Sequence, residues 1–415
     1  MNPAATGYIT VTLAYWAFML TDGALRMLVL LHFHALGFSP LMLSWLFLVY
    51  ELMGVVTNLA AGWLGARRGI FVLLYSGIVL QLIALFLLTT LQTDWPVVYS
   101  VLFVMLVQGL SGVAKDLTKT GAKSAVKLLD ADEQNNRLFR LVAFLTGSKN
   151  AVKGLGFFLG AALLAMLGFS QALLALSALL LVVLCAVWLA PKPELGAVNA
   201  KVPVREIFST NTSVNTLSAA RTFLFAARDT WFVVALPVFL YTALHTELQV
   251  SPATAFFIVG SFLALWTIGY GFVQVQAPVW LKRARESVGG SQLAVQYWTA
   301  AVTLVMLLLA LLGWFSSPSG EMPQSSVMVF VLIAGLLVFG GVFAICSSLH
   351  SYLILAFTSQ SRATMDVGFY YMANAVGRLL GTLLSGFSYQ IGGLGLSLTL
   401  AALMAGLSYL FTRRL

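Results

Sequence analysis

The sequence predicts an all-α integral membrane protein with twelve transmembrane helices in two pseudo-symmetric six-helix bundles and both termini in the cytoplasm. Three observations predict this fold class: the composition, the number of long apolar stretches, and the distribution of basic residues between them. The 415 residues are 60% hydrophobic and only 9% charged, and the mean hydropathy is +0.94. Soluble domains carry about 25% charged residues, so this chain is expected to fold in a bilayer.

A helix that crosses about 30 Å of hydrocarbon needs roughly 20 predominantly apolar residues. Polar and turn-rich breaks divide the chain into twelve stretches of this kind, at 8–33, 41–64, 70–91, 96–115, 138–167, 170–190, 212–243, 252–279, 290–314, 326–356, 366–389 and 393–411. The first stretch has no basic n-region and no small-residue cleavage site. It is therefore expected to remain as the first helix rather than to be removed as a signal peptide.

The basic residues indicate the topology, because Lys and Arg collect in cytoplasmic loops. With the N-terminus inside, the inner loops and C-terminus contain 17 of the 23 Lys and Arg residues, and the outer loops contain none. The protein is therefore expected to be a multi-pass protein of the plasma membrane, the bacterial inner membrane. Topology also explains most of the net charge of +9, so the expected surrounding partner is the lipid bilayer and no nucleic acid is predicted.

The longest weakly hydrophobic connection, residues 191–211, is predicted to be a cytoplasmic loop between an N-terminal bundle at 1–190 and a C-terminal bundle at 212–415. Similar segments follow the first helix of each half: GFSP at 37–40 and QVSP at 249–252. Two parallel six-helix halves with a substrate site between them are typical of transporters that work by alternating access.

Local motifs resemble those of the major facilitator superfamily. The segment GWLGARRG at 62–69 is similar to the loop motif between helices 2 and 3, with Ala66 where an Asp is usual. The resemblance implies that Arg67 and Arg68 act at the cytoplasmic gate, although without the usual carboxylate. Helix 5 carries a stripe of glycines that favours close helix packing.

Four longer segments resemble the ArsJ family of organoarsenical efflux permeases. They are YWAFMLTDGALRMLVLLHFHALGFSP, LSGVAKDLTKTGAKSAVKLL, LTGSKNAVKGLGFFLGAALL and SAARTFLFAARDTWFVVALPVFLY. The resemblance implies export of 1-arseno-3-phosphoglycerate and arsenate resistance. It also implies a functional dependence on glyceraldehyde-3-phosphate dehydrogenase, which makes this compound when it accepts arsenate in place of phosphate. No set of ligand residues is implied.

Charged residues inside the apolar stretches indicate the sign of the cargo. A charge at the bilayer centre costs roughly 2.5–3.5 kcal/mol even on lenient scales, so such residues are expected to line a cavity or to pair. The acids are Asp22, Glu51 and Asp229, and the six bases are Arg26, Lys149, Lys153, Arg221, Arg228 and Arg378. The excess of positive charge predicts an anionic substrate. The predicted substrate-binding residues are Lys149, Lys153, Arg228, Arg378 and Arg221.

Some of these charges are alternatively interpreted as internal ion pairs. Asp22 and Arg26 are four residues apart on one helix and are predicted to pair. Arg228 or Arg221 can pair with Asp229 or Glu51, which would make Arg26 and Arg221 mainly structural. The remaining cations, Lys149, Lys153 and Arg378, have no acidic partner on their own helices and are the stronger substrate candidates.

If transport is coupled to the movement of a proton, a buried carboxylate is predicted to carry that proton, because burial favours the protonated form. Glu51 has no basic neighbour on its helix and is a stronger candidate than Asp22. Uniport and anion exchange remain open.

A basic stripe is predicted at the inner end of helix 4. Lys115, Lys119, Lys123 and Lys127 recur every four residues. They either steer anions towards the cytoplasmic mouth of the cavity or only reflect the basic character of inner loops.

Motifs for other chemistry are missing from the sequence. It contains no metal-ligand spacing, no phosphate-binding Gly-Lys-Ser/Thr loop and only two distant cysteines, so neither a cofactor nor an enzyme is predicted. The alternatives are an organophosphate or phosphate exchanger, another organic-anion transporter, and, from other classes, a non-transporting receptor or a lipid-phosphate enzyme. A monomer is expected.

Overall fold

The computed structural model describes residues 3–68, 70–92, 94–129, 135–189, 209–282, 284, 287–316, 326–358 and 363–415. These residues form helices connected by short turns, without a strand in the described part. The helices are α1 Pro3–Ala35, α2 Pro40–Leu46, α3 Leu48–Arg68, α4 Ile70–Thr89, α5 Val97–Leu129, α6 Asn135–Leu167, α7 Phe169–Leu189, α8 Thr212–Phe232, α9 Ala235–Thr242, α10 Pro252–Trp280, α11 Val288–Ser316, α12 Ser326–Phe357 and α13 Ala363–Thr412. A π-helical turn, Ala243–Glu247, follows α9.

Eleven segments among the described residues are long and apolar enough to cross a membrane. The last, Asp366–Thr412, has 47 residues, about twice the length that one crossing needs. Its backbone leaves helical geometry at Gly392 and Gly393. The Oγ atoms of Ser388 and Ser397 lie 2.8 Å apart across this kink, whereas nine residues of straight helix would separate them by about 13.5 Å. The chain therefore folds back there, which is consistent with twelve crossings and confirms the predicted all-helical class.

The repeated GFSP and QVSP segments are helix starts. Ser39 and Ser251 cap α2 and α10 by accepting hydrogen bonds from the backbone N–H groups of Met42 and Thr254, and a proline follows each cap. Proline suits the first helical position because the N–H that it lacks would have no intrahelical partner. The first residues of the two segments, Gly37 and Gln249, both have positive φ angles of 85° and 53°. The sequence similarity therefore reflects the same turn geometry in both places.

Helices α1 and α6 touch through glycines, as the glycine stripe predicts. A Cβ atom built on Gly156 would lie 2.4 Å from the carbonyl oxygen of Leu20, and one built on Gly160 would lie 2.3 Å from that of Ala24. At Gly23 the same construction gives 2.6 Å to the carbonyl oxygen of Lys153. Such distances exclude any larger residue unless the backbones separate, so α6 is held directly against the charged part of α1.

Gly160→Ala is expected to destabilise the protein by about 1–3 kcal/mol, because overpacking forces the two backbones apart. The measurement is the thermal unfolding midpoint of the purified protein in detergent. Gly269→Ala is the matched control, since Gly269 lies in α10 with no atom within 4 Å of the added carbon. Equal midpoints for the two variants would contradict the close α1–α6 contact.

The N-terminal helices α1–α7 and the C-terminal helices α8–α13 meet at the end of the molecule predicted to face outside. A Cβ atom on Gly386 of α13 would lie 2.4 Å from the carbonyl oxygen of Pro40 in α2. The backbone N–H of Leu41 donates to Oε1 of Gln390 at 3.1 Å. Nearby, the rings of His34 and Tyr241 meet edge to face at 5.1 Å. These contacts close the outer end of the helix bundle.

Candidate substrate-binding site

A fully buried carboxylate joins the two groups of helices near the middle of the bundle. Glu51 of α3 accepts hydrogen bonds from Nη1 and Nη2 of Arg26 in α1, both at 3.2 Å. Nη2 of Arg378 in α13 lies 2.6 Å from the same carboxylate. Glu51 is therefore held between an arginine of the N-terminal helices and an arginine of the C-terminal helices.

The Glu51 contacts continue into the C-terminal helices. Nε of Arg378 lies 3.9 Å from Oδ2 of Asp229. Oδ1 of Asp229 accepts a hydrogen bond from Nε of Arg228 at 2.6 Å. Arg26, Glu51, Arg378, Asp229 and Arg228 thus form a continuous row of alternating charge, which we call the central charge row.

Asp22 belongs to a second cluster, between α1, α3 and α6. Its Oδ2 accepts a hydrogen bond from Nζ of Lys153 at 2.9 Å, and its Oδ1 accepts one from the Tyr50 hydroxyl at 2.5 Å. The predicted Asp22–Arg26 pair is therefore wrong. The close approach at Gly23 places Lys153 beside Asp22, while Arg26 reaches across to Glu51.

The contacts of Glu51 also oppose its predicted role as a proton carrier. Two guanidinium groups lie beside the carboxylate and favour its ionised form. A proton would have to compete with both Arg26 and Arg378. The sequence showed only that Glu51 has no basic neighbour on its own helix.

Helix α5 is longer than predicted, and this changes the setting of its lysines. The span predicted at 96–115 continues as helix to Leu129, and the apolar segment Val97–Ala122 includes Lys115, Asp116 and Lys119. Lys115 and Lys119 therefore lie within this helix and not in a loop after the predicted span. Lys119 Nζ lies 2.7 Å from Asp116 Oδ1, one turn away, and this pairing reduces the cost of continuing the helix.

Lys115 packs inside the site rather than at its mouth. Its Nζ lies 4.0 Å from the ring centroid of Tyr50 and 3.8 Å from Oδ2 of Asp116. The Tyr50 ring therefore has a lysine over its face while its hydroxyl bonds Asp22. The side chains of Arg67, Arg68 and Lys123, predicted for gating and steering, lie outside the described residues.

The remaining predicted substrate-binding residues are Arg221 and Lys149. Arg221 is 5% exposed and bonds neutral groups, with Nε donating to Oδ1 of Asn374 at 3.0 Å. Lys149 lies on α6 one turn before Lys153 and is half-buried.

Comparison with known proteins identifies the family. The major facilitator superfamily profile matches residues 9–381. The chain belongs to the major facilitator superfamily. No curated protein sequence matches it.

Solved transporter structures share the fold of this superfamily member. The nucleoside transporter NupG aligns over 100% of this chain and 98% of its own, with a TM-score of 0.67 and 16% identity, and a mutant form of NupG gives 0.69 with the same coverage and identity. A structure described as giving insights into substrate recognition in proton-dependent oligopeptide transporters covers 99% of this chain and 97% of its own, with a TM-score of 0.70 and 16% identity. At this identity the likeness shows the fold alone. The protein is a multi-pass membrane protein with a transporter fold, not an enzyme.

The ion pairs of this major facilitator protein share one asymmetry. Their carboxylates are nearly or completely buried: Glu51 is 0%, Asp22 and Asp116 are 1%, and Asp229 is 3% exposed at the side chain. The cations paired with them retain more exposure: 18% for Lys119, Lys153 and Arg378, 17% for Arg228, 12% for Arg26 and 7% for Lys115. In each of these pairs the accessible surface belongs mainly to the cation, and we call this set of partly exposed cations the cationic wall.

Sequence reasoning missed the polar residues that organise these charges. Tyr50, Asp116, Ser347 and Asn374 all contact a predicted cation or its partner. The available signal was weak, because Tyr50, Asp116 and Ser347 each stand next to another polar or charged residue and Asn374 is a single uncharged residue. Such residues usually bond their own helix backbone, as Thr118 and Thr230 do here.

Tyr50→Phe is expected to destabilise the transporter by about 1–3 kcal/mol, because Oδ1 of Asp22 loses its donor while it remains buried. The phenyl ring keeps its contact with Lys115, so the change isolates the hydroxyl. The measurement is the thermal unfolding midpoint, with Tyr297→Phe as control because Tyr297 is 69% exposed. Identical shifts in the two variants would argue against the Tyr50–Asp22 bond.

Proposed function

We propose that this transporter exports 1-arseno-3-phosphoglycerate, an anionic organoarsenical, from the cytoplasm by alternating access and so confers resistance to arsenate. The observation that carries the proposal is the exposure asymmetry of the ion pairs. Lys153, Arg228 and Arg378 offer their charge to the accessible side while their carboxylate partners are buried. An anion gains from such a wall, whereas a cationic cargo would be repelled by it.

The identity of the anion rests on the resemblance to the ArsJ permeases. The four resembling segments cover residues 15–40, 110–129, 145–164 and 218–241. They include most charged residues of the site: Asp22, Arg26, Lys115, Asp116, Lys119, Lys149, Lys153, Arg221, Arg228 and Asp229. The resemblance is therefore concentrated on the helices that supply the cationic wall. This supports a shared cargo more strongly than a resemblance spread over lipid-facing positions would.

The chemistry of the residues suits the cargo. Arg228 and Arg378 can give planar, bidentate hydrogen bonding to phosphate, arsenate or carboxylate oxygens, and Lys149 and Lys153 can supply compact positive charge. Arsenite is a poorer candidate because trivalent arsenic prefers clustered thiolates. Cys185 is exposed and Cys346 is buried, on different helices.

The Glu51–Arg378 contact supplies a coupling between cargo and conformation. It joins the N-terminal to the C-terminal helices, and an oxyanion that binds Arg378 competes directly with Glu51. Arg26 stays beside Glu51 when Arg378 leaves, so the carboxylate keeps a partner. In this mechanism substrate binding releases the contact between the two helix groups and permits them to rock.

The contacts at the outer end describe a state that exporters and importers both pass through in alternating access. Pro40 and Leu41 on one side and Gly386 and Gln390 on the other are in contact there. With that end closed, substrate reaches the cationic wall from the opposite, predicted cytoplasmic end.

An organophosphate or phosphate exchanger is the second candidate, and the same cationic wall favours it. The two functions differ in cargo and in supply. The organoarsenical must be made by glyceraldehyde-3-phosphate dehydrogenase from arsenate, whereas an exchanger would carry phosphate or a phosphate ester without that enzyme. Only the first proposal makes transport of arsenic depend on the dehydrogenase.

Arsenic uptake by everted membrane vesicles tests the proposal. Vesicles with the transporter are supplied with arsenate alone, or with arsenate, glyceraldehyde-3-phosphate, the dehydrogenase and nicotinamide cofactor. Accumulation is expected only with the complete mixture, and Lys149→Ala is expected to reduce it. Vesicles without the transporter are the control for leakage.

Other outcomes of the vesicle experiment are also decisive. Arsenic accumulation from arsenate alone would contradict the organoarsenical cargo. No arsenic accumulation in either mixture, together with exchange of radiolabelled phosphate, would establish the exchanger instead.

A further inference from the structure

Arg221 is held differently from the other cations of the site. Nε donates to Oδ1 of Asn374 at 3.0 Å, and Nη1 donates to the backbone oxygen and Oγ of Ser347 at 3.1 and 3.0 Å. Among the described residues no carboxylate lies within 4.0 Å of its guanidinium. A buried guanidinium that contacts only neutral acceptors is costly until an anion approaches.

A buried histidine lies one helical turn along α12 from Ser347, which this guanidinium contacts. His350 is 0% exposed, and neither ring nitrogen has a hydrogen-bond partner within the described part of the chain. It follows Ser347 by three residues on α12, so the two side chains share a face of the helix. Buried polar atoms without partners are uncommon in folded proteins. An imidazole N–H there is available as a donor to an oxyanion bound by Arg221.

A chain of neutral side chains links this position to the N-terminal helices. Ser347 Oγ also accepts a hydrogen bond from Nε2 of Gln274 at 3.4 Å. Oε1 of Gln274 accepts one from Nδ2 of Asn150 at 2.8 Å. Asn150 lies on α6 between Lys149 and Lys153. The surroundings of Arg221 therefore include both groups of helices, as a transported ligand requires.

The central charge row is within reach of Arg221. The Cζ atoms of Arg221 and Arg228 lie 4.1 and 4.6 Å from the centroid of the same Phe225 ring. The two guanidinium groups are thus no further apart than these two distances combined. Arg228 in turn shares Asp229 with Arg378. A three-carbon molecule with an oxyanion at each end can bridge such a gap.

We propose that Arg221, with Ser347, Asn374 and His350, forms a second anion subsite that holds one end of a double-ended substrate. Arg228 and Arg378 hold the other end. The ligand class is a short-chain molecule with a phosphate-like or arsenate-like group at one end and a second oxyanion at the other. This inference rests on the proposed function and goes beyond it, because it assigns the two ends to two subsites and requires both ends for tight binding.

Binding of two stable probes to the purified full-length transporter tests the subsite. Propane-1,3-diphosphonate has two anionic ends, and propylphosphonate has one end on the same carbon chain. Calorimetric titration should show the diphosphonate binding wild type at least about tenfold more tightly. In Arg221→Gln this advantage is expected to disappear, while the affinity for propylphosphonate stays as in wild type. Arg378→Gln should weaken the binding of both probes.

Each of the other binding results would overturn a specific part of the proposal. If wild type binds the two probes equally, the two-ended subsite is overturned while the anion transporter stands. If it binds neither, the proposed function fails as well. A full diphosphonate advantage in Arg221→Gln would show that Arg221 only ties α8 to α12 and α13. Arg413→Gln, at an exposed position near the C-terminus, should change neither affinity.

Arg221→Lys guards against a variant that does not fold. It keeps the positive charge at the buried position but lacks the planar fork that bonds two groups at once. A partial loss of the diphosphonate advantage with an unchanged elution profile is expected. Wild-type preference in this variant would overturn a subsite built on the guanidinium geometry.

Discussion

Arg378→Gln is expected to reduce transport of the organoarsenical to the level of vesicles without the protein. The change removes the cation that both lines the accessible wall and joins Glu51 to Asp229. Breaking a buried ion pair from one side costs about 3–5 kcal/mol. Because Arg26 still contacts Glu51, the loss of stability should fall at or below the lower end of that range. Initial rates of uptake and thermal unfolding midpoints measure the two effects.

The double variant Glu51→Gln with Arg378→Gln tests whether Arg378 acts only by pairing with Glu51. Two neutral amides can bond each other, but Arg26 loses the carboxylate that it contacts, so the unfolding midpoint should recover little of the single-variant loss. Transport should not recover, because the cation that binds the oxyanion is still missing. Recovery of transport in the double variant would mean that Arg378 has only a structural role.

Cross-linking the closed outer end is expected to stop transport completely. Cysteines replace Leu41 and Gln390, which are in contact between the two helix groups, in a background where Cys185 and Cys346 are changed to Ala and Ser. A bifunctional methanethiosulfonate then ties the two positions together. Alternating access requires this end to open, so uptake by everted vesicles should fall to background and return after reduction.

A second cysteine pair controls for damage by the reagent. Trp314 and Thr399 bond each other at 2.8 Å within the C-terminal helices, so a link between their positions leaves the two helix groups free to separate. Transport should survive that link. Full activity after cross-linking 41 to 390 would contradict an opening at this end.

Much of the fold could be predicted because the insertion of a helix into a membrane depends on the summed hydropathy of its own residues. Hydropathy adds residue by residue along a helix, so the apolar spans agree with the observed helices to within a few residues in most places. The span that ended at Lys115 is the clearest failure. There the helix continues to Leu129 and Asp116 pairs with Lys119, whereas hydropathy treats these charged residues only as the end of an apolar span.

The pairing of the charges could not be predicted in the same way. Asp22 bonds Lys153 from 131 residues away, and Glu51 bonds Arg378 from 327 residues away. Helix spacing pointed instead to Arg26 as the partner of Asp22. Pairing depends on which helices pack together, and here glycines at 23, 156 and 160 decide that α1 and α6 touch.

The sequence by itself determined that this chain is a helical membrane protein with an excess of positive charge inside its spans, and hence the sign of the predicted cargo. Composition and hydropathy suffice for both, because burying charge in a bilayer has a cost that does not depend on the partner helix. Only the tertiary structure decided that the carboxylates are more deeply buried than the cations paired with them and that Arg221 has neutral partners. Those facts depend on distances between helices far apart in the chain, and such distances are set by packing.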